Sequence, residues 1–178
     1  MNKLLTKYQA LADKAELSKG TMGSKQAFLK LVMAQPAIKN INSVTSKLEV
    51  LSSVKPGMLI TFEYQPKYAD KMLYWDRYPL VYVTQVNQDG WYGFNLHYLH
   101  PKLRARLFYD LEKKGVPIID NDIAKLCIKR YLSGHVARAP RLFTKDLWEI
   151  AVQLPFEDFQ KRGSQYVWKK TATVSKKR

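Results

Sequence analysis

The feature that most constrains this chain is the turn Gln88-Asp89-Gly90, which joins Leu80-Val-Tyr-Val-Thr-Gln-Val86 to Trp91-Tyr-Gly-Phe-Asn-Leu-His-Tyr-Leu99. Asp-Gly between two runs of β-branched and aromatic residues specifies a tight hairpin. A third run, Gly57-Met-Leu-Ile-Thr-Phe-Glu-Tyr64, enters through the turn Val54-Lys55-Pro56-Gly57. Side chains alternate along a strand, so Met58, Ile60, Phe62 and Tyr64 share one face. In the middle run Leu80, Tyr82, Thr84 and Val86 share one face and Val81 and Val83 the other, so both of its faces can be covered. The pattern predicts an α+β protein: a small SH3-like β-barrel or bent antiparallel sheet at 55–99, with flanking N- and C-terminal helices.

Helical spacing surrounds that core. Leu4, Tyr8, Leu11 and Ala15 predict a helix over 3–17 that stops before Gly20. Ser24 is placed to cap a second helix through Val32, and Ser43 a short third one, so residues 1–54 read as a basic helical arm. Residues 100–163 read as a helical half. Pro101 opens its first helix, on Leu103, Leu107 and Leu111. A second helix buries Ile123, Cys127, Ile128 and Tyr131 and ends at Gly134. His135–Arg141 reads as a basic linker, Thr144 as the cap of a further helix, and Pro155 as the start of the last one. Residues 164–178 read as a basic tail, disordered over Lys169–Arg178 unless a partner orders it.

The charge narrows the partners. Thirty Lys and Arg oppose 15 Asp and Glu in 178 residues, a net charge of +15, which attracts polyanions and says little about fold. Nucleic acid is the first expectation, an anionic membrane the second and an acidic protein the third. No apolar run approaches the roughly 18 residues that cross a bilayer, and the N-terminus is too weakly apolar for a signal peptide. Cys127 is the single cysteine, which excludes an internal disulfide and fits a reducing compartment. A soluble protein made in a cytoplasm is expected.

Motifs for chemistry are missing. There is no Gly-rich phosphate loop, Cys-x-x-Cys or His-Glu-x-x-His. His97, His100 and Cys127 lack the fourth ligand of a structural zinc site, and Asp120 and Asp122 are accounted for as helix caps. No catalytic residue, cofactor, metal or small-molecule substrate is expected.

Two stretches resemble a known family: Tyr74-Trp-Asp-Arg-Tyr-Pro79 and Gly93-Phe-Asn-Leu-His-Tyr-Leu-His-Pro-Lys-Leu-Arg-Ala-Arg-Leu-Phe108. Cys127-Ile-Lys-Arg-Tyr-Leu132 and Asp146-Leu-Trp-Glu-Ile-Ala-Val-Gln-Leu-Pro-Phe156 continue it, in the same order, over roughly 55–160. They resemble the DNA end-protector, or head-completion, proteins of tailed bacteriophages. The resemblance implies a virion protein, made in the host cytoplasm, that binds the end of packaged double-stranded DNA, guards it from exonuclease and helps join head to tail beside portal, neck or tail proteins. The alternative is an assembly subunit of the neck, tail or baseplate whose basic surface docks on acidic protein.

The expected DNA contacts follow from the cations and aromatics. Lys102, Arg106 and Lys113 form a stripe beside Tyr109, at 100° per residue away from the leucine face. Arg104, Lys125, Lys129, Arg130, Arg138 and Arg141 extend the basic surface onto phosphates. Trp75 or Trp91 is a candidate to stack on the exposed face of a blunt end. The loop from Tyr64 to Tyr78 interleaves Tyr68, Tyr74 and Trp75 with Lys67, Lys71 and Arg77. It either stacks on bases or caps the open end of the barrel, and Asp76-Arg77 within it reads as a local ion pair.

Overall fold

A computed structural model describes residues 3–19, 21–33, 48–100, 103–104, 107, 121–154 and 156–176. Its centre is a six-stranded, wholly antiparallel sheet. The strands are β1 (Glu49–Val50), β2 (Leu59–Tyr64), β4 (Leu80–Asn87), β5 (Gly90–Asn95), β6 (Ile128–Leu132) and β7 (Val136–Phe143), in the spatial order β1-β7-β2-β4-β5-β6. Two short strands, β3 (Trp75–Asp76) and β8 (Phe159–Gln160), pair separately. The described helices are α1 (Lys3–Lys14), α2 (Met22–Met33), α3 (Asn121–Cys127), α4 (Trp148–Gln153) and α5 (Ser164–Lys176).

The hairpin forms as the Asp-Gly turn requires, with Asn87 opposite Gly90. A Cβ on Gly90 would lie 1.9 Å from the Tyr131 carbonyl oxygen, so only glycine lets β6 approach there. Gly93 is equally constrained, because a Cβ would meet Val81 Cγ1 at 2.4 Å and the Tyr82 carbonyl at 2.5 Å. The ladder bulges between Val83 and Gln85. β4 is therefore covered on both faces only as far as Val83, and its far half is exposed.

Connectivity bends the sheet. β6 and β7 stand four positions apart, roughly 19 Å in a flat sheet at about 4.8 Å per strand. Only the 3-10 turn Ser133–His135 joins them, and the four residue steps from Leu132 to Val136 reach about 14 Å at full extension. The sheet must curl. Ile60, Phe62, Tyr64, Val81, Val83, Trp91 and Tyr131 fill the concave side, with Phe62 edge-on to Trp91 and Tyr131 at 5.2 and 5.0 Å. Among the described residues no β6–β7 ladder closes the curl, so the sheet is bent and antiparallel rather than a closed barrel. On the convex side Leu59, Leu80, Phe94 and Phe143 pack under Trp148, Ala151, Val152, Val167 and Trp168. A smaller cluster joins α1 and α2 to Leu154 through Ala12, Ala15, Leu17 and Phe28.

Several local expectations give way to this packing. The helix expected over 123–131 ends at Cys127, and Ile128–Leu132 pairs with β5. Only Ile128 and Tyr131 of these five are β-branched or aromatic; the open edge of β5 supplies the backbone partners that make the switch. His135–Arg141 belongs largely to strand β7, whose edges bond β2 and β1. Residues 156–163 hold β8 rather than a helix, and the expected disordered tail is helical from Ser164 to Lys176 because Val167 and Trp168 are buried. Thr21, not Ser24, caps α2: its Oγ1 accepts from Ser24 N at 3.1 Å. Thr144 makes no side-chain cap bond. The third helix expected after Ser43 lies outside the described residues up to Leu48, where the chain turns into β1.

Candidate functional site

The stretches that carry the family resemblance meet in a buried polar network. His97 Nδ1 lies 2.7 Å from Asp76 Oδ2, with both side chains almost wholly excluded from solvent. Asn95 Nδ2 donates to the same oxygen at 3.3 Å, and its Oδ1 accepts from His97 N at 3.0 Å. Asp76 Oδ1 accepts from the backbone of Tyr78 and Asp158. Burial raises the Asp76 pKa, but the neighbouring His97 charge and these hydrogen bonds outweigh it and hold the carboxyl below its usual range. His97 Nε2 is buried with no hydrogen-bond partner among the described residues.

Arg104 extends the network. Its Nε donates to the Leu99 carbonyl at 2.9 Å, its Nη2 to the His97 carbonyl at 3.1 Å and its Nη1 to Glu157 Oε2 at 3.3 Å. Trp168 Nε1 donates to the same His97 carbonyl at 2.9 Å, and its ring lies under the guanidinium. The network thus ties β3, the turn after β5, Arg104, residues 157–158 and α5 into one body. Its role is to hold backbone in place: Asp76, Asn95, His97, Arg104, Glu157 and Trp168 are all buried.

This placement corrects three readings. Arg104 is 1% exposed and cannot reach a phosphate. Trp91 is buried inside the curl and cannot stack on an end. Asp76-Arg77 is not a local pair, since Asp76 turns inward to His97 and Arg77 turns outward to Glu63 at 2.7 Å. The polar residues of Phe94-Asn-Leu-His-Tyr-Leu99, set in an otherwise apolar run, were the signal for this network. Cys127 is wholly buried, which pushes its thiol up to about 12 and keeps it protonated.

Two groups of cations bear on DNA binding. Of the five expected on α3, β6 and β7, three meet an acid. Arg138 reaches Glu63 at 3.0 Å, beside Arg77 on the other carboxylate oxygen. Arg130 meets Asp89 at 2.5 Å and Lys125 meets Asp122 at 3.5 Å. Lys129 is half-buried over the Tyr98 ring at 4.4 Å, and burial lowers its pKa. Arg141 is exposed on β7 and in no ion pair among the described residues. Lys102, Arg106 and Lys113 lie outside the described residues.

The second group sits on the loop 66–73 and the segment 161–170. Lys67 and Lys71 stand over the Tyr68 ring at 5.5 and 5.6 Å. Arg162 stands over Tyr166, and Lys170 over Tyr74 and Tyr166, at 5.3 to 5.6 Å. None of these four is in an ion pair among the described residues. An aromatic face attracts a cation without cancelling its charge, so the field here remains positive. Trp75 is half-buried beneath Lys161 at 5.5 Å, with its Nε1 buried and unpartnered among the described residues. Its ring is a support for this face rather than a free stacking surface.

Compared with known proteins, residues 38–175 match the family model described as phage T4 terminal DNA protecting protein. No curated protein and no solved structure matches the chain.

Proposed function

The chain belongs to the phage T4 terminal DNA protecting protein family, and from that premise we propose that it binds the terminus of packaged double-stranded DNA and shields it without catalysis. The observation that supports this reading most is the positive face made by Lys67, Lys71, Arg162 and Lys170, which among the described residues stand over aromatic rings and in no ion pair. Grip is electrostatic: these side chains, with Arg141 and the stripe of Lys102, Arg106 and Lys113, neutralise phosphates and release counterions. Lys125, Lys129, Arg130 and Arg138 add field but are partly spent on internal partners. The rigid body behind the face, held by the Asp76–His97–Arg104 network, keeps the cations in register.

With roughly six phosphates neutralised, affinity falls by about 10³ between 50 and 200 mM salt. End binding shows as tighter binding to linear DNA than to covalently closed circular DNA of the same sequence, and as protection of linear DNA from exonuclease. Equal binding to both forms defeats the terminus reading.

We further propose a place in the virion at head completion, beside portal, neck or tail proteins. The triple Lys102→Gln/Arg106→Gln/Lys113→Gln variant separates this from pure assembly. Under DNA grip it still enters particles, whose DNA ends become exonuclease-sensitive. If the same stripe instead docks on acidic protein, the variant is missing from particles while its DNA binding in isolation is unchanged.

A further inference from the structure

We propose that the surface formed by the loop 66–73 and the start of α5 is an end-cap that stacks on the terminal base pair of a flush DNA duplex. This rests on the terminus-binding reading and adds to it the face used and the type of end taken.

Four of the seven large hydrophobic side chains exposed on the described surface gather here: Tyr68, Met72, Leu73 and Tyr166, each 37–56% exposed. Their backbone is fixed. Lys71 N and Met72 N both bond the Tyr68 carbonyl at 3.1 Å, a helix-like turn that brings residues 68 and 72 to one side. Lys161, from a left-handed backbone conformation (φ 64°), donates its ammonium to the carbonyls of Ala69, Asp70 and Met72 at 2.7, 2.8 and 2.9 Å. That ammonium pins the turn against β8 and holds the apolar side chains outward. Met72 and Leu73 then line a shallow depression with Lys71, Lys161 and Arg162.

Around this apolar centre runs a cationic rim. Residues 66–73 and 159–170 carry six Lys and Arg against one acid, Asp70. An apolar centre ringed by cations is the complement of one DNA feature. The side of a duplex presents phosphates and polar groove edges. Only its end presents a flat, uncharged π-face, bordered by phosphates. Stacking on bases is sequence-tolerant because every base has such a face, which suits a protein that must take whatever pair ends the chromosome.

The test compares the full chain on three DNAs: a short flush-ended duplex, the same duplex with both ends closed by hairpin loops that cover the terminal pairs, and a covalently closed circle. The parent is expected to favour the flush duplex over both others. Tyr68→Ala/Met72→Ala/Leu73→Ser should weaken flush-end binding by about tenfold or more, down to the level of the capped duplex. Its affinity for the circle and its melting should match the parent, because these side chains are exposed. Leu73→Glu, a single exposed change that sets a carboxylate in the centre of the face, is the second variant and should also lose the flush-end preference. A folded variant that keeps the preference overturns the end-cap. So does a parent that favours linear DNA over the circle yet binds capped and flush duplexes alike, while the terminus reading survives. A parent that binds the circle as tightly as the flush duplex overturns both.

Discussion

Arg104→Met tests whether the arginine in the middle of the family-like stretch works inside the protein or on DNA. The guanidinium is 1% exposed and makes three hydrogen bonds, one of them to a carboxylate that is itself buried. Removing it takes the Arg104 partner away from the buried Glu157 carboxylate, and deleting one member of a buried pair costs about 3–5 kcal/mol. The Leu99 carbonyl also loses its Nε donor, whereas the His97 carbonyl keeps the bond from Trp168. At about 2–4 °C per kcal/mol for a domain of this size, the melting temperature should fall by roughly 6–20 °C, read by circular dichroism. Arg104→Met/Glu157→Met removes both members of the pair and should regain part of the loss, by at least about 1 kcal/mol, because paired residues in contact couple. DNA affinity of the folded variant should equal that of the parent. A variant that melts like the parent but loses DNA affinity would show the side chain at the surface and refute the reasoning.

Val83→Asp places a carboxylate in the concave core at a position with no exposure; at a cost of several kcal/mol the variant should be insoluble or unfolded in a urea titration. Gly93→Ala forces a Cβ against Val81 and the Tyr82 carbonyl and should cost about 1–3 kcal/mol, measured as an earlier urea midpoint with an unchanged slope. Asp76 sets an acid limit. Its carboxyl is held below the unfolded value of about 3.9, so the unfolded chain takes up the proton first as pH falls. The stabilisation is complete above that value and is lost as pH drops through the lower folded value. Asp76→Asn should be less stable at neutral pH and show a shallower stability loss below about pH 4.

What the sequence determined by itself is the local geometry. Asp89-Gly90 can hardly be anything but a hairpin turn, and the alternation in Leu59–Tyr64 and Leu80–Val83 assigns inner and outer faces from the period of a strand alone. The net charge of +15 pointed to a polyanion before any coordinate, and the stretches at 74–79 and 93–108 carried the family. What only the tertiary structure decided is the use made of each residue. Ile128–Leu132 has no strand alternation strong enough to overrule a helical continuation, yet it pairs because β5 offers an open edge. Val167 and Trp168 turn an apparently disordered tail into a helix by reaching the convex core. Arg104 and Arg162 are chemically the same side chain; one is enclosed by Leu99, His97 and Glu157, and the other stands over an exposed tyrosine. Charge and hydropathy are properties of a residue, but burial and pairing are properties of its neighbours, and those neighbours come from segments as far apart as Asp76 and Trp168.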